Sequence, residues 1–358
     1  MLRLRLPSRI HLASYWGLVS LWTLQNVLTS ALAQTVPAQQ LPQGGVVSAG
    51  QATISQSGNT LNINQTSQRA VVDWTSFNVG TQAQVNFQQP NAQSATLNRV
   101  SDTNPSQILG RITAPGQVVL VNPQGVYFGK SSSVDVGALV ATTHQAAASD
   151  FMMGKLKFER KGSTGSVVNE GQIRSAVGGY IALLAPEVQN NGVIVANLGT
   201  VALASGETVE LQFNTGGALT GLRVSASTIN ALVENKRAIQ APGGLIILSA
   251  QAMSKIQSGV VKNSGTLEAT GMANRGGRIV LEASTTVANS GSITANAGLP
   301  QLGQEGGPAG TITINAPEVI QNGVIAANNT LPQVGAAVQT GGQIDIQATT
   351  YTQSADAT

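Results

Sequence analysis

A two-part unit, Asn-x-Gly-x-Ile followed by Gly-Gly-x-Ile-x-Leu-x-Ala, returns six times after residue 165 and constrains this chain more than any other feature. The first half reads Asn169-Glu170-Gly171-Gln172-Ile173. It recurs at 190–194, 263–267, 289–293 and 321–325, with a degenerate copy at 235–239 where Arg237 stands in the glycine place. The second half reads Gly178-Gly179-Tyr180-Ile181-Ala182-Leu183 and recurs, interleaved with the first, at 199–203, 243–248, 276–281, 310–314 and 341–346. Regular alternation of a turn and a short strand over so long a stretch is the signature of a solenoid.

Each strand half alternates, with Ile279, Leu281 and Ala283 on one side and Arg278, Val280 and Glu282 on the other. A lone strand of this kind cannot bury its apolar face, whereas the next copy stacked upon it can. The repeat therefore predicts an all-β chain of parallel strands wound into a β-helix, rising roughly 4.8 Å per coil. An antiparallel sandwich uses similar short strands but has no reason to repeat one turn sequence. The glycine places lie 21, 45, 28, 26 and 32 residues apart, and the 45 suits two coils, one of which, around 207–213, lacks the motif. Glycine is expected there for the positive φ of tight corners, and asparagine for its tolerance of that region and its bond to its own backbone.

The amino terminus reads as an export signal. Arg3, Arg5 and Arg9 precede a mostly apolar stretch over 12–32, and Ala31-Leu32-Ala33 is a small-x-small cleavage site before Gln34. Ser14, Thr23, Gln25 and Asn26 interrupt the apolar run, which favours a cleaved signal over a membrane anchor. Removing residues 1–33 takes three of the 19 basic residues and none of the 16 acidic ones, leaving 16 of each. The mature chain is then neutral, which removes any charge-based argument for nucleic acid or anionic lipid. Charged residues are 10% of the chain and cysteine is absent, so no disulfide can staple it and stacked strands must carry its stability.

Aromatic residues divide the mature chain. Trp74, Phe77, Phe87, Tyr127, Phe128, Phe151, Phe158, Tyr180 and Phe213 lie in its first half, and Tyr351 alone lies beyond. The expected organisation is a signal peptide at 1–33, a cap-like export domain at 34–215 and a β-helical repeat stem at 216–358. Between 41 and 165 the sequence is less repetitive but dense in strand signals, as expected for atypical strands that cover the open end of a β-helix. There Asn122-Pro123-Gln124-Gly125 follows the apolar run 118–121 and precedes Val126. Pro at the second place and Gly at the fourth suit a type I turn, with the Asn122 side chain bonding the backbone two residues on.

The runs Asn98-Arg99-Val100, Pro105-Ser106-Gln107-Ile108-Leu109-Gly110, Asn122-Pro123-Gln124-Gly125-Val126-Tyr127-Phe128-Gly129 and Leu139-Val140-Ala141-Thr142-Thr143 follow one another at close spacing. In that order they resemble the secretion domain of the filamentous haemagglutinin family over about 41–250, and the later repeats resemble that family's stem. The resemblance implies a right-handed parallel β-helix with an N-terminal strand cap. It also implies periplasmic recognition by an outer-membrane barrel transporter bearing POTRA domains, the route called two-partner secretion. The family's Asn-Pro-Asn-Gly-Ile stands here as Asn122-Pro123-Gln124-Gly125-Val126, which keeps the turn chemistry. Its Asn-Pro-Asn-Leu has only Gln89-Pro90-Asn91-Ala92 as a counterpart, which leaves the secretion subclass open.

Chemistry-bearing groups are sparse. His144 is the one histidine beyond residue 33, so an ordinary zinc or haem site cannot be assembled, and no cofactor or metal is expected. Set in Thr143-His144-Gln145 after an apolar run, His144 is expected to face solvent. Asp135 and Asp150 flank it without any Gly-x-Ser-x-Gly segment to complete a triad, the acids are scattered singly, and Asp345 fails the calcium nonapeptide pattern. The densest charged patch, Lys155, Lys157, Glu159, Arg160 and Lys161 around Phe158, reads as a solvated projecting hairpin, or, more sharply, as a transporter contact through Lys155, Lys157, Phe158 and Arg160.

These readings converge on a secreted, non-enzymatic exoprotein, adhesive or a surface scaffold, reaching the exterior or cell surface through the periplasm. Its expected partners are the transporter and an unidentified surface ligand, with neither nucleic acid nor a membrane span in the mature chain. The alternatives are the carrier portion of a contact-dependent toxin, a haemolysin, and a β-helical carbohydrate-active enzyme. A toxin needs an effector domain, and the chain stops at Thr358 just after a repeat strand, which reads as a short product or a partial frame.

Overall fold

The computed structural model describes residues 36–253, 256–299, 306–329 and 341–358. The proposed signal segment, with Ala33 and Gln34, lies outside the described residues. The described chain is a parallel β-helix, and each full coil contributes three short strands. One coil consists of Glu187–Asn190, Val193–Val195 and Thr200–Ser205; the next of Ala231–Asn235, Ala238–Gln240 and Leu245–Ala250. Each strand pairs in parallel with its counterpart one coil on, in register: Asn190 with Asn235, Ile194 with Ile239 and Leu203 with Leu248. Toward the amino end the second and third strands of a coil fuse into the long strands Arg111–Val121 and Ser133–Thr142, which pair with a shift of register between Val136 and Ala138.

The interior is filled by the alternate residues of every strand. Ile181, Leu183, Val201, Leu203, Ile246, Leu248, Ile279, Leu281, Ile312 and Ile314 stack in two columns with none of their surface exposed. Arg278 and Glu282 point outward from the same strand that buries Ile279 and Leu281, as the alternation predicts. Each buried Ile or Leu side chain contributes about 1.5–3 kcal/mol relative to exposure.

Antiparallel strands close the amino end. Ala52–Ser57 and Thr60–Gln65 form a hairpin, and Val46–Ala49 runs antiparallel to Arg69–Trp74. Thr60–Gln65 and Arg69–Trp74 then pair in parallel with Gln84–Gln88 and Ala95–Val100, which hands the antiparallel cap over to the helix.

Two sequence expectations need correction. The 45-residue interval holds no extra coil: Ala231–Asn235 stacks directly on Glu187–Asn190, and the intervening residues leave the helix as an antiparallel pair, Thr208–Phe213 with Leu219–Ser225. The glycines of the Asn-x-Gly turns, moreover, do not take positive φ. They are required by stacking, because a Cβ on Gly192 would sit 2.3 Å from the Gly171 carbonyl oxygen, and one on Gly291 would sit 2.1 Å from that of Gly265. Positive φ belongs to the other corner, at Gly178 and Gly243, with Leu198 at +53° in the equivalent place.

The asparagines of the same turns are buried. Asn169 Nδ2 donates to Asn190 Oδ1, Asn190 to Asn235, Asn235 to Asn263 and Asn263 to Asn289, each at 2.8 Å, and Asn289 donates to Gln321 Oε1 at 2.9 Å. In several coils the oxygen also accepts the glycine N–H two residues on, as from Gly171 to Asn169 at 3.1 Å. The result is a head-to-tail column of amides along one corner of the solenoid.

Candidate functional site

The turn at 122–125 joins the long strand Arg111–Val121 to the strand Val126–Phe128, among the early coils of the helix. Gly125 N–H donates to the Asn122 carbonyl at 3.0 Å, which closes the turn, and Gln124 N–H donates to Asn122 Oδ1 at 3.0 Å. Asn122 is fully buried, and its Nδ2 donates to the Asn104 carbonyl and to Ser106 Oγ, both at 3.0 Å. Pro123 offers its carbonyl to Ser163 Oγ at 2.6 Å. Gly125 has φ +134°, and a Cβ there would press on the Ser166 carbonyl at 3.0 Å and on Pro105. Val126 and Phe128 follow it into the core. The turn is therefore clamped between the 104–106 and 163–166 segments, partners that no local spacing reveals.

The charged patch is not a projecting hairpin. Lys157–Glu159 pairs antiparallel with Thr208–Phe213 and, with Leu219–Ser225, forms a three-stranded sheet. This sheet, the five-residue helix Ala148–Met152 and Leu156 cover the outer face of the solenoid's third strands. Phe151 and Phe158 are fully buried against Val71, Leu97, Val140, Ala182 and Ala204. Phe213 meets Tyr180 edge-on with ring centroids 5.4 Å apart, and the Arg69 guanidinium lies 5.6 Å from the Phe151 ring. Of the four residues read as a transporter contact, Lys155 and Lys157 are exposed, while Phe158 and Arg160 are buried, because the strand Lys157–Glu159 belongs to the covering sheet and turns Phe158 onto the solenoid.

Arg160 fastens this cover. Its Nε pairs with Glu207 Oε2 at 2.9 Å, one terminal nitrogen donates to Thr228 Oγ1 at 2.8 Å, and the other to the Ser163 carbonyl at 3.3 Å. His144, expected at the surface, is fully buried beneath it: Nε2 donates to the Gly206 carbonyl at 2.8 Å. The bridge between Gln145 and Glu159 draws the histidine under the cover. Burial holds the His144 pKa below its ordinary value, with the nearby Arg160 charge acting in the same direction. Burial opposes ionisation of Glu207, but Arg160 and the Thr228 N–H outweigh it and hold the carboxyl below its ordinary range.

Ser163 joins the two regions that the sequence singles out, since its hydroxyl holds Pro123 and its carbonyl receives Arg160. Turn, cover and latch are one contiguous assembly. Among the described residues no three His, Asp or Glu gather around a metal-sized space. Among the same residues no helix is long and apolar enough to cross a membrane.

A family model described as the TPS secretion domain matches residues 38–295. A heme/hemopexin-binding protein of Haemophilus influenzae strain Rd is 34% identical over 262 residues, which take in 71% of this chain and 28% of that protein. A second heme/hemopexin-binding protein of Haemophilus influenzae is 31% identical over 298 residues, covering 77% of this chain and 31% of its own length. The chain thus spans under a third of the length of the curated relatives it matches. The crystal structure of the HMW1 secretion domain from Haemophilus influenzae matches with a TM-score of 0.63 at 22% identity, over 87% of this chain and all of that one, and is alike in fold.

Proposed function

The chain belongs to the TPS secretion domain family, whose members are exoproteins exported across the outer membrane by a partner transporter, and on that premise we propose that the turn-and-cover assembly is what the transporter reads. The supporting observation is the clamp on Asn122: a buried side chain bonded to Asn104, Ser106 and Gln124 fixes the geometry at which the early coils meet the segment that leads to the cover. In this reading periplasmic POTRA domains contact exposed residues around the turn, with Lys155 and Lys157 supplying charge. Residues 1–33 are a signal peptide cleaved between Ala33 and Gln34, 34–215 hold the export determinants and 216–358 serve as stem. The exported protein is an adhesin or surface scaffold and not an enzyme, a reading supported by the match to a secretion-domain family of exoproteins. Haem and hemopexin, named for relatives of which this chain matches under a third, are not assigned to these residues.

Co-expression with the partner transporter tests the proposal through the ratio of extracellular to periplasmic protein. Asn122→Ala removes the bonds of one buried amide at the turn, and Asn289→Ala removes those of another in the stem, each costing about 2–3 kcal/mol. Export of the Asn122 variant is expected to fall sharply and that of the Asn289 variant to persist. Equal export of both, or secretion that needs no transporter, would overturn the proposal.

A further inference from the structure

The turns that carry the buried amide column also present a row of residues to solvent. The residue after each asparagine is Glu170, Asn191, Lys236, Ser264, Ser290 and, after Gln321, Asn322, one per coil and roughly 4.8 Å apart. Two shallow depressions follow this row. One, of about 470 Å³, is lined by Lys130, Glu170, Asn191, Lys236 and Arg237. The other, of about 310 Å³, includes Glu234, Lys262, Ser264, Ser290 and Asn322. They meet at the Glu234–Lys236 ion pair, 2.8 Å long, and together make an elongated polar furrow parallel to the solenoid axis.

Its charge is unbalanced. Glu234 is paired with Lys236, and Glu170 keeps its charge while accepting from the Tyr127 hydroxyl at 2.8 Å, but Lys130, Arg237 and Lys262 are exposed and have no carboxylate within ion-pair distance among the described residues, so cations outnumber carboxylates along the furrow. The flanking strands Ala231–Asn235 and Ala238–Gln240 are each paired on both sides, so no free edge offers a peptide a strand to extend.

We propose that this furrow binds an extended acidic oligosaccharide, its carboxylates against Lys130, Arg237 and Lys262. The anionic groups answer the unpaired cations, and a linear ligand suits a row that repeats once per coil. The proposal deepens the adhesive reading above. Binding measured on purified protein keeps its failure distinct from a failure of export or of cell attachment.

The test is fluorescence anisotropy with labelled octagalacturonate against the wild-type protein, with neutral maltooctaose and an octaglutamate peptide as competitors. The expected result is saturable binding that weakens as salt screens the charges. Lys130→Ala with Arg237→Ala is expected to weaken it at least about tenfold. Arg278→Ala, which removes one exposed charge from another face, should leave affinity unchanged, and melting temperatures of all variants establish that each is folded. Absence of binding, equal affinity in the folded furrow variants, or competition by octaglutamate as effective as by unlabelled octagalacturonate would overturn the proposal; the last result would assign the furrow to acidic peptides.

Discussion

Asn235 stands mid-column, accepting from Asn190 and donating to Asn263, both at 2.8 Å. Asn235→Ala strands a donor above and an acceptor below it, so a loss of about 2–4 kcal/mol is expected, against about 1–2 for Gln321→Ala near the far end. Urea unfolding of the two variants checks the order. The inward and outward assignment is tested in the same way. Ile279→Asp buries an unpaired carboxylate at several kcal/mol, while Arg278→Asp at an exposed position should change stability by less than about 0.5 kcal/mol. At this scale much was legible: the Asn-x-Gly pattern identified the turn, and period two identified Ile279 as interior. The identity of the bonding partner was not, because the amide's acceptor lies 21 to 45 residues away, in another coil.

At the scale of elements, the excursion over 208–225 and the strand at 157–159 turn an outward-facing strand surface into a second core. The sequence carried a signal for this. Tyr180–Leu184, Thr200–Ser205 and Leu245–Ala250 are buried at every position, and their outward places hold Ala182, Ala202, Ala204 and Ile247. Arg278–Ala283, beyond the cover, alternates. A continuous apolar run in a parallel strand means burial on both faces, and the change from continuous to alternating marks where the cover stops. Thr208 and Ser225 are cross-strand partners, so an Asn-Gly turn can join them in place of 209–224. The shortened protein is expected to keep its far-ultraviolet circular dichroism while exposing the apolar face, read as a rise in anilinonaphthalene sulfonate fluorescence. Acid should loosen the same cover. Because the folded-state pKa of His144 is depressed, its contribution is complete above the ordinary histidine value of about 6.5 and falls as pH drops toward the folded-state value. Urea midpoints measured between about pH 6.5 and 5, above the ordinary carboxylate range, should decline in the wild type and flatten in His144→Gln. Burial of His144 could not be read locally, since Gly206 and Glu159 reach it only through the folded-back sheet.

For the whole molecule, architecture was the most legible property, because a repeat that cannot bury itself alone leaves stacking as the one solution. Atypical strands over the open end were foreseen from the need to cover it, but their antiparallel pairing was not, and the interval read as a spare coil is an excursion, since the two have similar lengths. Mass spectrometry of exported protein is expected to show a mature amino terminus at Gln34; retention of Arg9 would refute the cleavage assignment.

The column of amides has a consequence for how errors are refused. Apolar alternation has period two, so a new coil that docks two residues out of place still turns its isoleucines inward and satisfies the interior equally well. Side-chain burial alone therefore cannot proofread the winding. A coil displaced in this way brings Val188 or Val233, and not Asn190 or Asn235, to the preceding amide, and brings a Cβ where only a glycine clears the carbonyl beneath it. Each finished coil thus holds out a donor that a misplaced successor cannot answer, and a chain emerging one segment at a time has its frame checked once per turn.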